Sequence, residues 1–224
     1  MIINKHTKLY GSFSNNPGNN GCIFFNTEFE KRGINSIYKS FYSTDIKNLI
    51  ISVRHLNFSG FALSMPLKIE ILDYLDIIDS TAKEIGAVNT VINNNGVLIG
   101  CNTDWIGVKK YLTSDFYIPR PISKKIDDRQ YRVDDHITIL GNGGFSKAVQ
   151  YACKDLNMTY DIITRENWGD IKNIDKNDMV FNATPIDIET NAILIDGRPF
   201  TEQGKQIANF QAAEQFYLYT GIKI

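Results

Sequence analysis

The chain has 224 residues, 43% of them hydrophobic and 22% charged, with a formal net charge of −1. That length holds one large domain or two small ones with a sizeable core. The near-neutral balance speaks against a nucleic-acid partner, because such binders carry a basic excess or stripe. No apolar run approaches bilayer length, and MIINKHTKLYGSF has neither an apolar h-region nor a small-residue cleavage site. No membrane partner and a cytoplasmic location are therefore expected. Cys22, Cys101 and Cys153 lie far apart without a CxxC pair, and His6, His55 and His136 are isolated. Neither a disulfide framework nor a metal site is indicated.

In chain order, the turn-rich SNNPGNNG (14–21) reads as a loop. CIFFNTEFEKRG follows with aromatics at helical spacing and a glycine stop at Gly33, and SIYKSFYS alternates like a strand. TDIKNLIISVRHL predicts a helix capped by Thr44 or Asp45. FSGFALSM predicts a strand running into Pro66, and PLKIEILDYLD a helix with that proline in its first turn. STAKEIG predicts a short helix opened by Ser80, and AVNTVINNNGVLIGCNT a hairpin around Asn94-Asn95-Gly96. DWIGVKKYL predicts a helix with Asp104 at its N-cap. Strands and helices alternate, so this half is an α/β unit. TSDFYIPRPISKKIDDRQYRVDD (113–135), rich in charge and with little periodicity, predicts a connecting loop near a domain boundary.

The second half opens on HITILGNGGFSKAVQYACKDLN, a buried strand, a glycine turn and an amphipathic helix. That is the context a dinucleotide-binding fingerprint demands. Gly141 permits the tight turn, Gly143 the close approach of a pyrophosphate, and Ser146 close packing of helix on strand. The helix N-terminus beginning near Gly144 offers N–H groups to phosphates. TYDIITRE predicts a second strand ending about twenty residues on, where an arginine accommodates the extra phosphate of NADP. Arg165 stands there, either in that role or as a solvated strand-end charge. NDMVFNATP predicts a third strand ending in a polar turn.

Together these segments resemble the shikimate dehydrogenase family. LSMPLK is similar to the family's Val-Thr-x-Pro-x-Lys, AVNT and GCNTD match its two Asn-Thr motifs, and GNGG and NATP resemble its nucleotide loop and Asn-x-Thr-Pro turn. QAAEQFYLYTG is similar to its last helix. The resemblance implies an α/β substrate domain (1–112 and 206–224), a trimmed Rossmann-like domain (136–205), and a C-terminal helix returning to the first. It implies Lys68 and Asp104 as catalytic residues and Ser64, Asn89, Asp104 and Gln211 on the substrate's hydroxyls. It further implies Gly141, Gly143, Gly144, Arg165, Asn182 and Thr184 on the cofactor. Taken alone, Lys68 reads as a solvated helix lysine and Asp104 as a plain cap; the resemblance gives both a chemical role. Oxidising an alcohol needs a hydride acceptor, which NADP (or NAD) provides, and a group to take the hydroxyl proton, which a lysine provides.

The chain also departs from the family. The Ser-x-Ser pair that binds the substrate carboxylate falls on Ser12 and Ser14, or, counting back from Asn26, its positions hold Asn19 and Gly21. Glu166 beside Arg165 would repel a 2′-phosphate. IDI replaces Gly-Met after the NATP turn, and between Thr184 and Gln211 a strand and a helix are expected to be missing. Three readings follow: an NADP-dependent shikimate dehydrogenase, a binding protein that keeps only the pocket, or the same reaction on a relative such as quinate or an aminated analogue. A small-molecule partner is common to all three, in a monomer or homodimer.

Overall fold

The structure, a computed structural model, describes residues 2–114, 136–176 and 178–224. The connecting loop expected over 113–135 lies outside them from residue 115 on; Thr113 and Ser114 close the preceding helix through bonds to Lys109 and Tyr111 carbonyls. The chain forms two compact units, residues 1–103 with 212–224, and residues 104–211. Among the described residues no helix is long and apolar enough to cross a membrane.

The first unit is built on a six-stranded mixed sheet. Strands β1 (Lys8–Ser14), β2 (Ser36–Tyr42) and β3 (Gly60–Leu63) are parallel. Strands β5 (Thr90–Asn94) and β6 (Val97–Cys101) add on antiparallel, and the short β4 (Ile77–Ile78) pairs parallel to β6 at the edge. The hairpin turns at Asn95 and Gly96, both at positive φ (53° and 92°), which matches the strand twist. Helix α1 (Asn20–Lys31) ends beside Gly33 at φ 63°, and α2 (Ile46–His55) is capped by Asp45, whose carboxylate accepts from the Asn48 amide at 3.1 Å. Helix α2 buries Ile46, Leu49, Ile50 and Val53, the stripe that its spacing predicts.

Two local expectations are corrected. Pro66 precedes the helix instead of lying in its first turn, through a cis Met65–Pro66 bond, and α3 (Leu67–Glu70) passes into a 3₁₀ turn at Ile71–Tyr74. Helix α4 (Ser80–Ile85) begins at Ser80 but takes its cap from Asp79 rather than from the serine: Asp79 has extended backbone and its carboxylate accepts from the Ala82 amide at 2.7 Å.

The second unit holds four parallel strands in the order β10-β9-β7-β8. These are β7 (His136–Leu140), β8 (Thr159–Ile163), β9 (Met179–Asn182) and β10 (Ile193–Asp196), with α5 (Asp104–Leu112) and α6 (Gly144–Asp155) alongside. Strand β10 lies between Thr184 and Gln211, in the shortened stretch where a strand and a helix of the family pattern are expected to be missing. The parallel sheet with its crossover helix is a Rossmann-like arrangement, built on Ile137, Ile139, Val149, Ala152, Phe181 and Ile195.

Helix α7 runs from Glu202 to Thr220, so it begins well before Gln211. Its Ile207 packs in the second unit's core. Its Phe216 and Tyr219 join Tyr10, Phe25, Phe29 and Tyr38 in an aromatic cluster of the first unit, with Tyr10 and Tyr219 ring centroids 4.9 Å apart. Gly60 makes that docking possible, since a Cβ there would come within 2.7 Å of the Tyr219 ring.

Candidate active site

Strand register gathers one set of predicted residues at a single end of the first sheet. Phe13 lies opposite Leu63, Ala62 opposite Thr90, and Thr90 opposite Cys101. The residues just beyond these (Ser14, Ser64, Asn89 and Asn102) therefore leave or enter the sheet on the same side. Backbone bonds lace the segments together: Ser64 N to Phe13 O (3.0 Å), Leu63 N to Asn89 O (2.8 Å), Val88 N to Lys68 O (2.8 Å) and Asn15 N to Met65 O (3.2 Å).

The repeated Asn-Thr pairs have a physical explanation in this unit. Asn89, 1% exposed, accepts through Oδ1 from the Thr103 amide (2.8 Å) and the Thr90 hydroxyl (2.8 Å), and donates through Nδ2 to Thr103 Oγ1 (3.0 Å). Asn102 Nδ2 donates to the Ala87 carbonyl at 2.9 Å. Each pair thus ties the start of β5 to the end of β6, and buried polar groups are satisfied within the network. Gln215 completes it: buried on α7, it donates to Thr90 Oγ1 at 2.7 Å. Sequence reasoning singled out Gln211 and missed Gln215, although four residues on places it along the same helix face.

Ser12 and Ser14 lie on β1, while Asn19 is the N-cap residue of α1 and Gly21 lies inside that helix. Ser12 Oγ donates to Ser40 Oγ on the neighbouring strand at 3.0 Å. Ser14 Oγ accepts from the Asn16 amide at 3.2 Å. Ser64 is exposed, and Lys68 half-buried in the four-residue helix α3. Asp104, 4% exposed, is the first residue of α5, directly after Thr103.

In the second unit, Gly141 sits at φ 101°, a region that favours glycine, and its amide donates to Ile163 O at 2.8 Å. Gly143 is extended, and a Cβ there would meet nothing. Helix α6 starts at Gly144, and its N-cap residue Gly143 makes no side-chain cap bond. Ser146, fully buried, donates to Gly141 O at 2.6 Å and so bolts helix to turn. Asn182, also fully buried, accepts through Oδ1 from the Thr184 amide (3.0 Å) and hydroxyl (2.6 Å). Arg165 and Glu166 are both exposed just past β8. An open glycine position, a helix N-terminus and an exposed arginine together suit a dinucleotide's phosphates.

Residues 21–91 match the family model of the shikimate dehydrogenase substrate binding domain. The chain is 34% identical over 214 residues to a shikimate dehydrogenase (NADP(+)) of Methanococcus maripaludis, covering 85% of this chain and 72% of that protein. The chain belongs to the shikimate dehydrogenase family. It is also 36% identical over 156 residues to a shikimate dehydrogenase-like protein of Haemophilus influenzae, covering 69% of this chain and only 52% of the relative, about half its length. Among solved structures, shikimate dehydrogenase of Aquifex aeolicus superposes with a TM-score of 0.78 at 27% identity, covering 100% of this chain and 96% of that one.

Proposed function

We propose that this family member is an NADP-dependent oxidoreductase interconverting 3-dehydroshikimate and shikimate. The observation that carries the reading is the gathering of Ser14, Ser64 and Asn89 at one end of the first sheet, in a chain whose relatives are named for this reaction. The Methanococcus relative is named an NADP(+) enzyme, and a family structure with a TM-score of 0.71 and 25% identity was solved with NADP+.

The roles follow from the chemistry of each group. Gly141, Gly143 and the first amides of α6 hold the pyrophosphate, Arg165 the 2′-phosphate, and the Asn182–Thr184 turn the nicotinamide side. A bound nicotinamide supplies hydride exchange at the reacting carbon. In the reducing direction the Lys68 ammonium gives one proton to the carbonyl oxygen: an N–H bond breaks and an O–H bond forms. In the oxidising direction the amine takes that proton back, and Asp104 serves as its carboxylate partner. Asn89, Ser64, Asp104 and Gln211 bind the ring hydroxyls. Ser14, whose Oγ accepts from Asn16, keeps its proton for the substrate carboxylate; Ser12 must first turn its proton away from Ser40.

The test is absorbance of the reduced nicotinamide with shikimate and NADP+ or NAD+, beside Lys68→Ala. Turnover that falls about 10²–10⁴-fold in the variant is the expected result. No turnover with either cofactor, while shikimate still raises the melting temperature, would replace this reading with that of a shikimate-binding protein. Turnover on quinate alone would keep the chemistry and change the substrate.

A further inference from the structure

We propose that Arg198 is a positioning residue for the Asn182–Thr184 turn, acting through Asp196. The proposal rests on the NADP reading of that turn and concerns the stretch between Thr184 and Gln211 that departs from the family pattern. Asp196 ends β10 and Arg198 follows two residues later; both side chains are only 9% exposed. The guanidinium grips the carboxylate through Nε (3.0 and 2.9 Å) and Nη2 (2.6 Å), and the Arg198 amide adds a bond to Oδ1 at 3.1 Å. Nη2 also reaches Asp187 Oδ1 at 2.5 Å, in the loop just after the turn. The guanidinium also lies 4.8 Å from the Phe200 ring centroid, within reach of a cation–π contact.

From Asp196 the contacts lead directly to the turn. Asp196 Oδ1 accepts from Asn182 Nδ2 at 3.4 Å, and the same Nδ2 donates to the Ile186 carbonyl at 2.9 Å. With its amide group so oriented, Asn182 presents Oδ1 to the Thr184 amide and hydroxyl. Thr184 Cγ2 in turn packs where a Cβ on Gly141 would lie 3.0 Å away, so the turn borders the glycine loop. A buried ion pair is a poor device for stability alone, because desolvation offsets most of the attraction. What it fixes here is orientation. Asp187 stands in the IDI that replaces the family's Gly-Met, and Arg198 in the shortened segment: two departures from the family pattern meet in one contact.

The test uses the full chain with Arg198→Met, Arg198→Lys and Asp187→Asn, read two ways. In ligand-free protein, hydrogen exchange of the Thr184 amide is expected to speed up about tenfold in Arg198→Met relative to the amides of β9. Arg198→Lys restores part of the protection, and Asp187→Asn, whose carboxylate is 90% exposed, gives a smaller increase. In titrations with NADP+, Kd rises about tenfold in Arg198→Met while shikimate affinity stays unchanged. Exchange at Thr184 that is unaltered, or faster only in step with β9, overturns the proposal. If Arg198→Met does not fold, the same comparison in Asp187→Asn decides. Wild-type protein that binds no NADP+ refutes the cofactor reading, and the exchange experiment still decides whether Arg198 sets the turn.

Discussion

Gln215 reaches from the C-terminal helix to Thr90 Oγ1 at 2.7 Å, and Thr90 in turn donates to the side chain of Asn89. A residue near the end of the chain thereby fixes a predicted substrate ligand 126 positions earlier. Gln215→Leu removes the donor and leaves the buried Thr90 hydroxyl with fewer partners. Loss of such a bond costs about 1–3 kcal/mol. Urea unfolding should register that loss, and the rise in melting temperature produced by shikimate should shrink. A variant as stable and as responsive as the parent would show that aromatic docking alone sets the helix.

Some of this was open to sequence reasoning and some was not. The turn at Gly141 was legible because positive φ leaves a glycine signature between a buried strand and a helix. The hairpin at Asn95-Gly96 was legible for the same reason. Asp79 and Ser80 are both good caps in adjacent positions; only backbone conformation separates them. Strand β10 consists of four residues between polar stretches, too short for periodicity to tell from a loop or a buried helical turn. Gln215 carried only the helical spacing from Gln211 as a signal, because its partner Thr90 is distant in the chain. The Asp187–Arg198 contact was hidden likewise, each residue appearing only as a gap in a family pattern.

The two glycines of the nucleotide loop should respond differently to alanine. Gly141→Ala forces a Cβ into φ 101° and within 3.0 Å of Thr184 Cγ2, a strain of about 1–3 kcal/mol. Thermal unfolding of the second unit should drop accordingly. Gly143 is extended with open space around its Cα, so Gly143→Ala should leave the melting temperature almost unchanged. On the proposed cofactor reading its methyl group would occupy the approach of the pyrophosphate, and NADP+ affinity should fall. Equal effects on stability and affinity at both positions would contradict this division of roles.

Asp76 should contribute to the acid limb of stability. The Leu98 amide, then the Arg54 guanidinium, hold its carboxyl below the usual carboxylate value, through contacts of 2.7 and 2.8 Å. A folded-state pKa below the unfolded one means that the stabilisation is present above the unfolded value near 3.9 and lost as pH falls through the folded one. The side chain is 42% exposed, so solvent screens the pair and the contribution is modest. Urea midpoints of the parent and Asp76→Asn should differ at pH 6 and converge as pH falls through the lowered folded-state pKa. Parallel curves across that range would assign the acid limb to other carboxylates.

Cofactor choice should turn on Arg165 and Glu166, neighbours with opposite charge and both exposed past β8. Arg165 attracts a 2′-phosphate and Glu166 repels it, so the two substitutions should move NADP+ affinity in opposite directions. Arg165→Ala should raise the Kd for NADP+ about tenfold, the size of one charge-assisted hydrogen bond, and leave NAD+ almost unaffected. Glu166→Gln should lower the Kd for NADP+ and again spare NAD+. Because both side chains face solvent, the effects should shrink as ionic strength rises, whereas a steric role would be indifferent to salt. Titrating the parent and both variants with each cofactor at low and high salt separates the cases. An Arg165→Ala that weakened NADP+ and NAD+ equally would move the 2′-phosphate contact away from this strand end.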